Sequence, residues 1–193
     1  NTLVASALFD AEGRIVSLKL DEMEVATPNY DGADMPQFSG FPGQGGYNND
    51  ENHDGKVEGK TADSEEQFLA EFDTWKTKRE RGDSYKLNSG TWASEADVFE
   101  KLFVGKTIAE VEDWFAKYTD ANGRPLQAEA KSDEDKAKFS ALTDDEKKML
   151  EDVRTATTIS LKDPHGDFIT ALKKAYELRQ PLDVKEAAAE GLG

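Results

Sequence analysis

The sequence predicts an α+β domain in which a small antiparallel sheet, formed by an N-terminal hairpin and a C-terminal strand, packs with four to five helices. Apolar strand patterns lie near both ends of the chain, and amphipathic helical patterns lie between them. A long segment rich in glycine and aromatic residues follows the hairpin and is expected to be an ordered loop. We expect a single domain over residues 1–180 and a C-terminal tail over residues 181–193.

The composition excludes several classes of function. The chain has 193 residues with 24 basic and 40 acidic side chains, which gives a formal net charge of −16 at pH 7. This negative charge opposes binding to nucleic acid and to anionic membrane surfaces. The chain has no cysteine, so it offers no disulfide, thiolate metal site or cysteine nucleophile, and its two histidines are too few for a histidine-rich metal site. The expected partner is a small-molecule or surface ligand of unknown identity.

The N-terminal region has the pattern of a β-hairpin. Residues 3–9 and 14–20 read as two strands, and residues 10–13, which end in Gly13, form the expected turn. The apolar side chains available for burial are Val4, Leu8, Ile15, Val16, Leu18 and Leu20. We expect this hairpin to share its sheet with the C-terminal strand.

Capping signals predict the helices in the middle of the chain. One helix is expected over residues 64–81, a second over about residues 95–104, and a third that begins at Thr107. A further short helix begins at Thr143, whereas the charged run over residues 129–138 is expected to be solvated surface. The aromatic side chains of these helices are expected to form the core rather than a cofactor site.

The C-terminal region reads as a strand, a turn and a helix. Residues 157–161 form a β-branched run of the strand type. Asp163 then offers a helix cap, with Pro164 at the first helical position. The helix is expected to follow at once and to end before Pro181.

Residues 24–63 show no regular pattern and are expected to form an ordered loop. Its stretch from Asp50 to Thr61 has the pattern of the first half of a calcium loop, with oxygen ligands at alternate positions and then Gly55, which permits a sharp turn. Thr61 stands where an EF-hand has a bidentate glutamate, so a nearby carboxylate must complete the site. The expected metal ligands are Asp50, Asn52, Asp54, the backbone carbonyl of Lys56, Glu58 and Asp63. The alternative is a solvated turn that binds no metal.

Residues 152–158, DVRTATT, resemble the flavinylation motif of FMN-binding domains, which runs Asp-x-x-Ser/Thr-Gly/Ala-Ala-Thr/Ser. The resemblance implies that Thr158 carries FMN through a phosphoester bond and that Asp152 is the leading acid. Thr157 departs from the motif, which has a small alanine at this position. If FMN binds, its phosphate is expected at Thr158, near the start of the following helix. The cofactor-binding residues that this implies are Asp152, Thr155, Thr158 and His165.

A second resemblance covers residues 77–114, which are similar to a segment of exported lipoproteins of gut Firmicutes of the clostridial type. That family has no established activity. The recurring parts in this sequence are Thr77-Lys78-Arg79, Gly82-Asp83-x-Tyr85, Trp92 with the Ala96-containing helix, and Val104-Gly105-Lys106-Thr107. The resemblance implies an extracellular, cell-surface lipoprotein with a distant FMN-binding-like fold, held at the membrane through a lipid anchor that, like a signal peptide, this chain does not contain.

Three functions are compatible with the sequence. The chain contains no nucleophile elbow, P-loop, zinc-ligand helix or dinucleotide fingerprint, which favours a non-enzymatic, ligand-binding lipoprotein domain stabilised by calcium. The second function is an FMN-binding, extracytoplasmic electron-transfer flavoprotein. The third is a hydrolase with paired acids, although no spacing among the 40 carboxylates singles out a pair.

The predicted calcium loop has a direct test in thermal unfolding. Asp50, Asp54 and Glu58 repel one another unless a cation lies between them. Since a ligand that binds the folded state stabilises it, EDTA should lower the Tm and added Ca²⁺ should restore it. Asp50→Ala should abolish this difference, and Asp145→Ala, outside the loop, should preserve it. A Tm that is the same with and without EDTA would show that these residues form only a solvated turn.

Overall fold

The structure is a computed structural model that describes residues 1–26, 35–44, 61–163 and 166–182. Within these residues the chain has an α+β fold, which confirms the predicted class. The strands are β1 (Thr2–Phe9), β2 (Ile15–Met23), β3 (Lys162–Asp163) and β4 (Gly166–Asp167). The helices are α1 (Glu65–Asp73), α2 (Lys78–Arg81), α3 (Trp92–Phe103), α4 (Ile108–Tyr118), α5 (Asp133–Ser140), α6 (Asp144–Ala156) and α7 (Phe168–Glu177). None of these helices is long and apolar enough to span a bilayer.

Strands β1 and β2 form the predicted hairpin, paired antiparallel from Thr2 opposite Met23 to Phe9 opposite Ile15. Only one face of this hairpin is covered. Since successive side chains of a strand point to opposite faces, Ile15 is buried while its neighbour Val16 is exposed. The expectation that Val4, Leu8 and Val16 are available for burial is therefore wrong, whereas Ile15, Leu18 and Leu20 do enter the core.

The hairpin does not share a sheet with the C-terminal segment, so this part of the prediction is wrong. β1 and β2 form one two-stranded sheet, and β3 and β4 form another. Residues 157–161 do not form a strand, and backbone groups at both ends of this run bond to groups outside the sheet. The amide of Thr158 donates to the carboxylate of Glu95 on α3, and the carbonyl of Leu161 accepts from the amide of Phe168.

Side-chain caps set the helix boundaries, and several of these boundaries differ from the sequence prediction; α3, for example, begins at Trp92 after its cap Thr91 rather than at about residue 95. The helix expected over residues 64–81 is split, because Thr77 and Glu80 form a capping box that begins α2. The C-terminal helix begins at Phe168 rather than directly after Asp163, because Asp167 caps the amides of the first turn of α7. The charged run over residues 129–138 also contains the start of α5.

Helix α3 lies at the centre of the core. Its Ala96, Phe99 and Phe103 are at most 1% exposed. The Phe103 ring lies 5.6 Å from the Phe115 ring and 5.8 Å from the Trp114 ring, measured between centroids, so α3 packs directly on α4. The inward face of β2 covers another side of α3, and these aromatics are core residues as predicted.

A second apolar cluster lies between residues 35–44 and α1. The ring of Phe38 contacts those of Phe68, Phe72 and Trp75, with centroid separations of 5.5 to 6.0 Å. No residue of α1 is fully buried, so these contacts attach α1 to residues 35–44 rather than to the main core.

Buried polar groups attach α2 to the hairpin. The ammonium of Lys78 lies 2.7 Å from the carboxylate of Glu22 and 3.2 Å from that of Glu24. Burial alone would lower the pKa of Lys78, but the hydrogen bond and negative charge of Glu22 outweigh it, so the pKa lies above its ordinary value. The ammonium therefore stays charged and holds α2 against β2.

Candidate functional site

The candidate site is a cleft of about 500 Å³ between the turn at residues 120–127, the start of α5 and the C-terminal end of α6. Three basic side chains line it, namely Arg124, Lys131 and Arg154. We call it the arginine cleft. It also contains Thr157 and Thr158, two carboxylates, and an apolar wall that includes Pro125 and Leu126.

Hydrogen bonds to its backbone amides, together with a glycine, fix the turn that forms one side of the cleft. The carboxylate of Asp120 accepts hydrogen bonds from the amides of Asn122 and Arg124, both at 2.9 Å. Gly123 has a φ of 72°, and a Cβ at this position would lie 3.0 Å from the Lys162 backbone nitrogen. Only glycine permits both this conformation and the close approach to residue 162. The turn is therefore held against the chain that follows residues 157–161.

Both arginines of the cleft are held by neutral partners. Arg124 Nε donates to the hydroxyl of Ser160 at 2.6 Å, and the Arg154 guanidinium donates to the side-chain carbonyl of Gln127. Neither cleft arginine forms an ion pair within the described residues, whereas Arg14 and Arg79 do. The two cleft guanidinium groups thus keep their charge without a carboxylate partner, and they have further donors to offer.

The two carboxylates of the cleft already have partners. Asp120 accepts the two turn amides, and Asp135 accepts the hydroxyl of Ser132 at 2.5 Å. Three basic side chains thus face two acidic side chains, each of which has one oxygen engaged in local hydrogen bonds. The arginine cleft is therefore suited to bind a negatively charged or electron-rich oxygen atom.

Glu95 fixes the position of residues 157 and 158 in the cleft. Its carboxylate is fully buried in the first turn of α3. It accepts hydrogen bonds from the Ser89 amide at 3.1 Å, the Thr158 amide, and the Thr158 hydroxyl at 2.9 Å. The adjacent Thr157 is 2% exposed, and its hydroxyl has no hydrogen-bond partner in the described protein. Thr157 thus lines the cleft, and its hydroxyl is buried in this conformation with its hydrogen-bonding capacity unused.

The residues that the flavinylation motif implies for FMN binding do not all lie in one site. Asp152 and Thr155 are exposed on α6, where the Thr155 hydroxyl donates to the Asp152 backbone carbonyl. Thr158 lies in the arginine cleft, but its hydroxyl is bound to Glu95, and a phosphoester there would place a second anion beside a buried carboxylate. His165 lies outside the described residues. FMN attachment stays a prediction of the sequence alone.

Most of the predicted calcium loop also lies outside the described residues, namely Asp50, Asn52, Asp54, Lys56 and Glu58. Asp63 is described and precedes α1, where its amide donates to the side-chain carbonyl of Gln67. Within the described ranges no group of three or more histidine, aspartate or glutamate side chains is arranged to hold a metal ion. Calcium binding therefore stays a prediction.

The sequence-based prediction did not include the arginine cleft, because it described the charged run over residues 129–138 as solvated surface. The signal it could have used is the turn sequence Asp120-Ala-Asn-Gly-Arg124-Pro, which places an arginine next to a rigid turn in a strongly acidic chain. No local pattern, however, predicts that this turn meets Arg154 and Thr157.

One comparison with known proteins gives a match. A curated protein of Desulfitobacterium hafniense named chlorophenol reductase is 41% identical to this chain over 192 residues. The alignment covers 94% of this chain and 52% of that protein, so the chain spans about half the length of the curated relative that it matches. No protein-family model matches the chain, and no solved structure matches it.

This match contradicts the prediction of a non-enzymatic, ligand-binding lipoprotein domain, because a relative that aligns with nearly all of this chain is named as an enzyme. The relative's name contains no cofactor, so it does not support the flavoprotein alternative either. The resemblances to exported lipoproteins and to FMN-binding domains, and the extracellular location, stay predictions that the comparisons do not test.

The role of Glu95 in holding residues 157 and 158 can be measured by denaturant unfolding. Glu95→Gln keeps the side-chain volume but replaces an acceptor oxygen with a donor group, which faces the donors that now bind the carboxylate. We expect a loss of about 1–3 kcal/mol in the free energy of unfolding. The same substitution at the exposed Glu151 should change it by less than about 0.5 kcal/mol. Equal stabilities for the two variants would contradict the assigned role.

Proposed function

We propose that this chain is the substrate-binding domain of an oxidoreductase that reduces a chlorinated phenol. The observation that carries the proposal is the 41% identity to chlorophenol reductase over 94% of this chain. Because the chain spans about half of that protein, the reaction of the whole enzyme is part of the proposal. The arginine cleft is the site that we assign to the phenol.

The dimensions and lining of the cleft support this assignment. Its volume of about 500 Å³ lies within the range of roughly 300–1,000 Å³ that is typical of small-molecule sites. Ala130 and the edges of the buried residues Pro125 and Leu126 form the apolar side of the cleft for a chlorinated ring, while Arg124 and Arg154 offer donors for the phenol oxygen. An apolar wall with a few polar groups is the usual composition of such a site.

The reaction divides into binding and electron delivery, and we assign the first to this chain. Reduction of a carbon–chlorine bond to a carbon–hydrogen bond takes two electrons and one proton and releases chloride. The chain contains no cysteine, so its own residues supply no thiolate ligand for an iron–sulfur cluster. In this proposal the electrons come from a low-potential donor outside the arginine cleft, and the cleft holds and orients the ring.

Binding of a chlorophenol to the purified chain tests the proposal. With 2,4-dichlorophenol as the probe, we expect saturable chemical-shift changes in two-dimensional NMR spectra at the amides of residues 122–131 and 157–158. Ala130→Phe places a ring in the cleft without changing its charge and should abolish these changes. Ala128→Phe, which lies on the same turn but does not line the cleft, should preserve them.

Shifts confined to other parts of the protein, or no saturable binding, would contradict the assignment of the cleft as the phenol site. Equal binding by the Ala130→Phe and Ala128→Phe variants would also contradict this assignment.

A further inference from the structure

The chemical form of the ligand follows from the charges that the arginine cleft leaves unpaired. Arg124 and Arg154 donate to Ser160 and Gln127, which are neutral, and neither guanidinium forms an ion pair within the described residues. A guanidinium has five N–H donors in a planar fork, so each of these hydrogen bonds leaves other donors free. Charge-assisted hydrogen bonds from such donors to an anionic oxygen are about twice as strong as neutral ones.

We propose that the arginine cleft binds its ligand as the phenolate anion rather than as the neutral phenol. The inference rests on the proposed function for the identity of the ligand, and on the unpaired guanidinium groups for its charge. A simple phenol has a pKa of about 10, as the tyrosine side chain does, and chlorine atoms lower it by withdrawing electrons. The more heavily chlorinated phenols are therefore ionised near neutral pH, and Arg124 and Arg154 line the cleft with donors for the oxygen anion.

The chemistry of the cleft favours the anion over the neutral form. A neutral phenol presents one weak acceptor and one donor, whereas the cleft offers three cationic side chains, and one oxygen of each of its two carboxylates already accepts local hydrogen bonds. A phenolate presents only acceptor lone pairs, which match the guanidinium donors. The hydroxyl of Thr157 is buried and unpartnered, and in this proposal its side chain rotates to donate to the bound phenolate.

If the cleft binds only the phenolate, the affinity depends on pH, and the pKa of the ligand sets this dependence. Because the complex stabilises the ionised form, the pKa of the bound phenol lies below that of the free phenol. The affinity should therefore rise about tenfold per pH unit between these two pKa values and level off above the pKa of the free ligand. The affinities of two chlorophenols of different acidity should therefore level off at different pH values.

Calorimetric titrations of 4-chlorophenol and 2,4,6-trichlorophenol across pH 5 to 10 test this directly. We expect the affinity of the more acidic trichlorophenol to level off at a lower pH than that of 4-chlorophenol, above its own pKa. Affinities that do not change with pH, or two ligands that level off at one common pH, would overturn the inference while leaving phenol binding itself intact. An absence of binding at every pH would overturn both this inference and the proposed function.

Charge-removing variants separate recognition of the anion from general effects of charge. Arg124→Gln and Arg154→Gln should each weaken phenolate binding by roughly ten- to a hundredfold, as expected for the loss of a charge-assisted hydrogen bond. Arg179→Gln removes the same charge at the end of α7, outside the cleft, and should leave the affinity within about twofold. Equal losses in all three variants would overturn the inference.

Thr157→Val tests the hydroxyl in the cleft. The substitution removes a buried polar atom that has no partner, so the Tm should stay the same or rise. Phenolate affinity should nevertheless fall by several-fold. Unchanged affinity in this variant would remove Thr157 from the proposed site, and a lowered Tm would show that the hydroxyl has a structural partner.

Discussion

The arrangement of this domain depends on the buried carboxylate of Glu95. It lies in the first turn of the central helix α3, where the free amides and the helix dipole favour a negative charge. Its two oxygens accept hydrogen bonds from Ser89, which precedes the helix, and from Thr158, which is 63 residues further along the chain. Because a buried carboxylate is costly unless its oxygens are hydrogen-bonded, these donors hold residues 157–161 against α3.

The geometry of the arginine cleft follows from this attachment. Once Thr158 is bound to Glu95, Ser160 is placed to accept from Arg124, and the amide of Lys162 donates to the carbonyl of Asn122 at 3.1 Å. The Asp120 turn therefore lies beside the end of α6, which carries Arg154. Basic residues from three separate stretches of the sequence thus line one cleft in a chain whose net charge is −16.

The sequence predicted best those features that depend on neighbouring residues. Thr107 and Thr143 begin helices with complete capping boxes, as expected from the glutamate three positions after each. Features that depend on distant partners were missed. The β-branched run at residues 157–161 has the propensity of a strand, but the amides of Thr157 and Thr158 donate to the Val153 carbonyl and the Glu95 carboxylate, and propensity carries no information about such partners.

Prediction of the function from the sequence has the same limit. Residues 152–158 resemble a flavinylation motif, yet the hydroxyl expected to carry FMN is bound to a buried carboxylate from another helix. The unpaired charge of Arg124 and Arg154 is visible only in the folded chain, where the hydrogen-bond partners of both residues are known. The expectation of a non-enzymatic domain rested on missing catalytic motifs, and such motifs describe only the chemistries for which a local signature exists.

The most direct test of phenolate binding in the arginine cleft is a crystal structure of the protein soaked at alkaline pH with a bromophenol, whose bromine is located by anomalous scattering. The account predicts a bromine peak inside the cleft, with the phenol oxygen about 2.7–2.9 Å from a guanidinium nitrogen of Arg124 or Arg154. A bromine peak elsewhere, for instance among the aromatic rings beside α1, or a ring whose oxygen points away from both arginines, would contradict it.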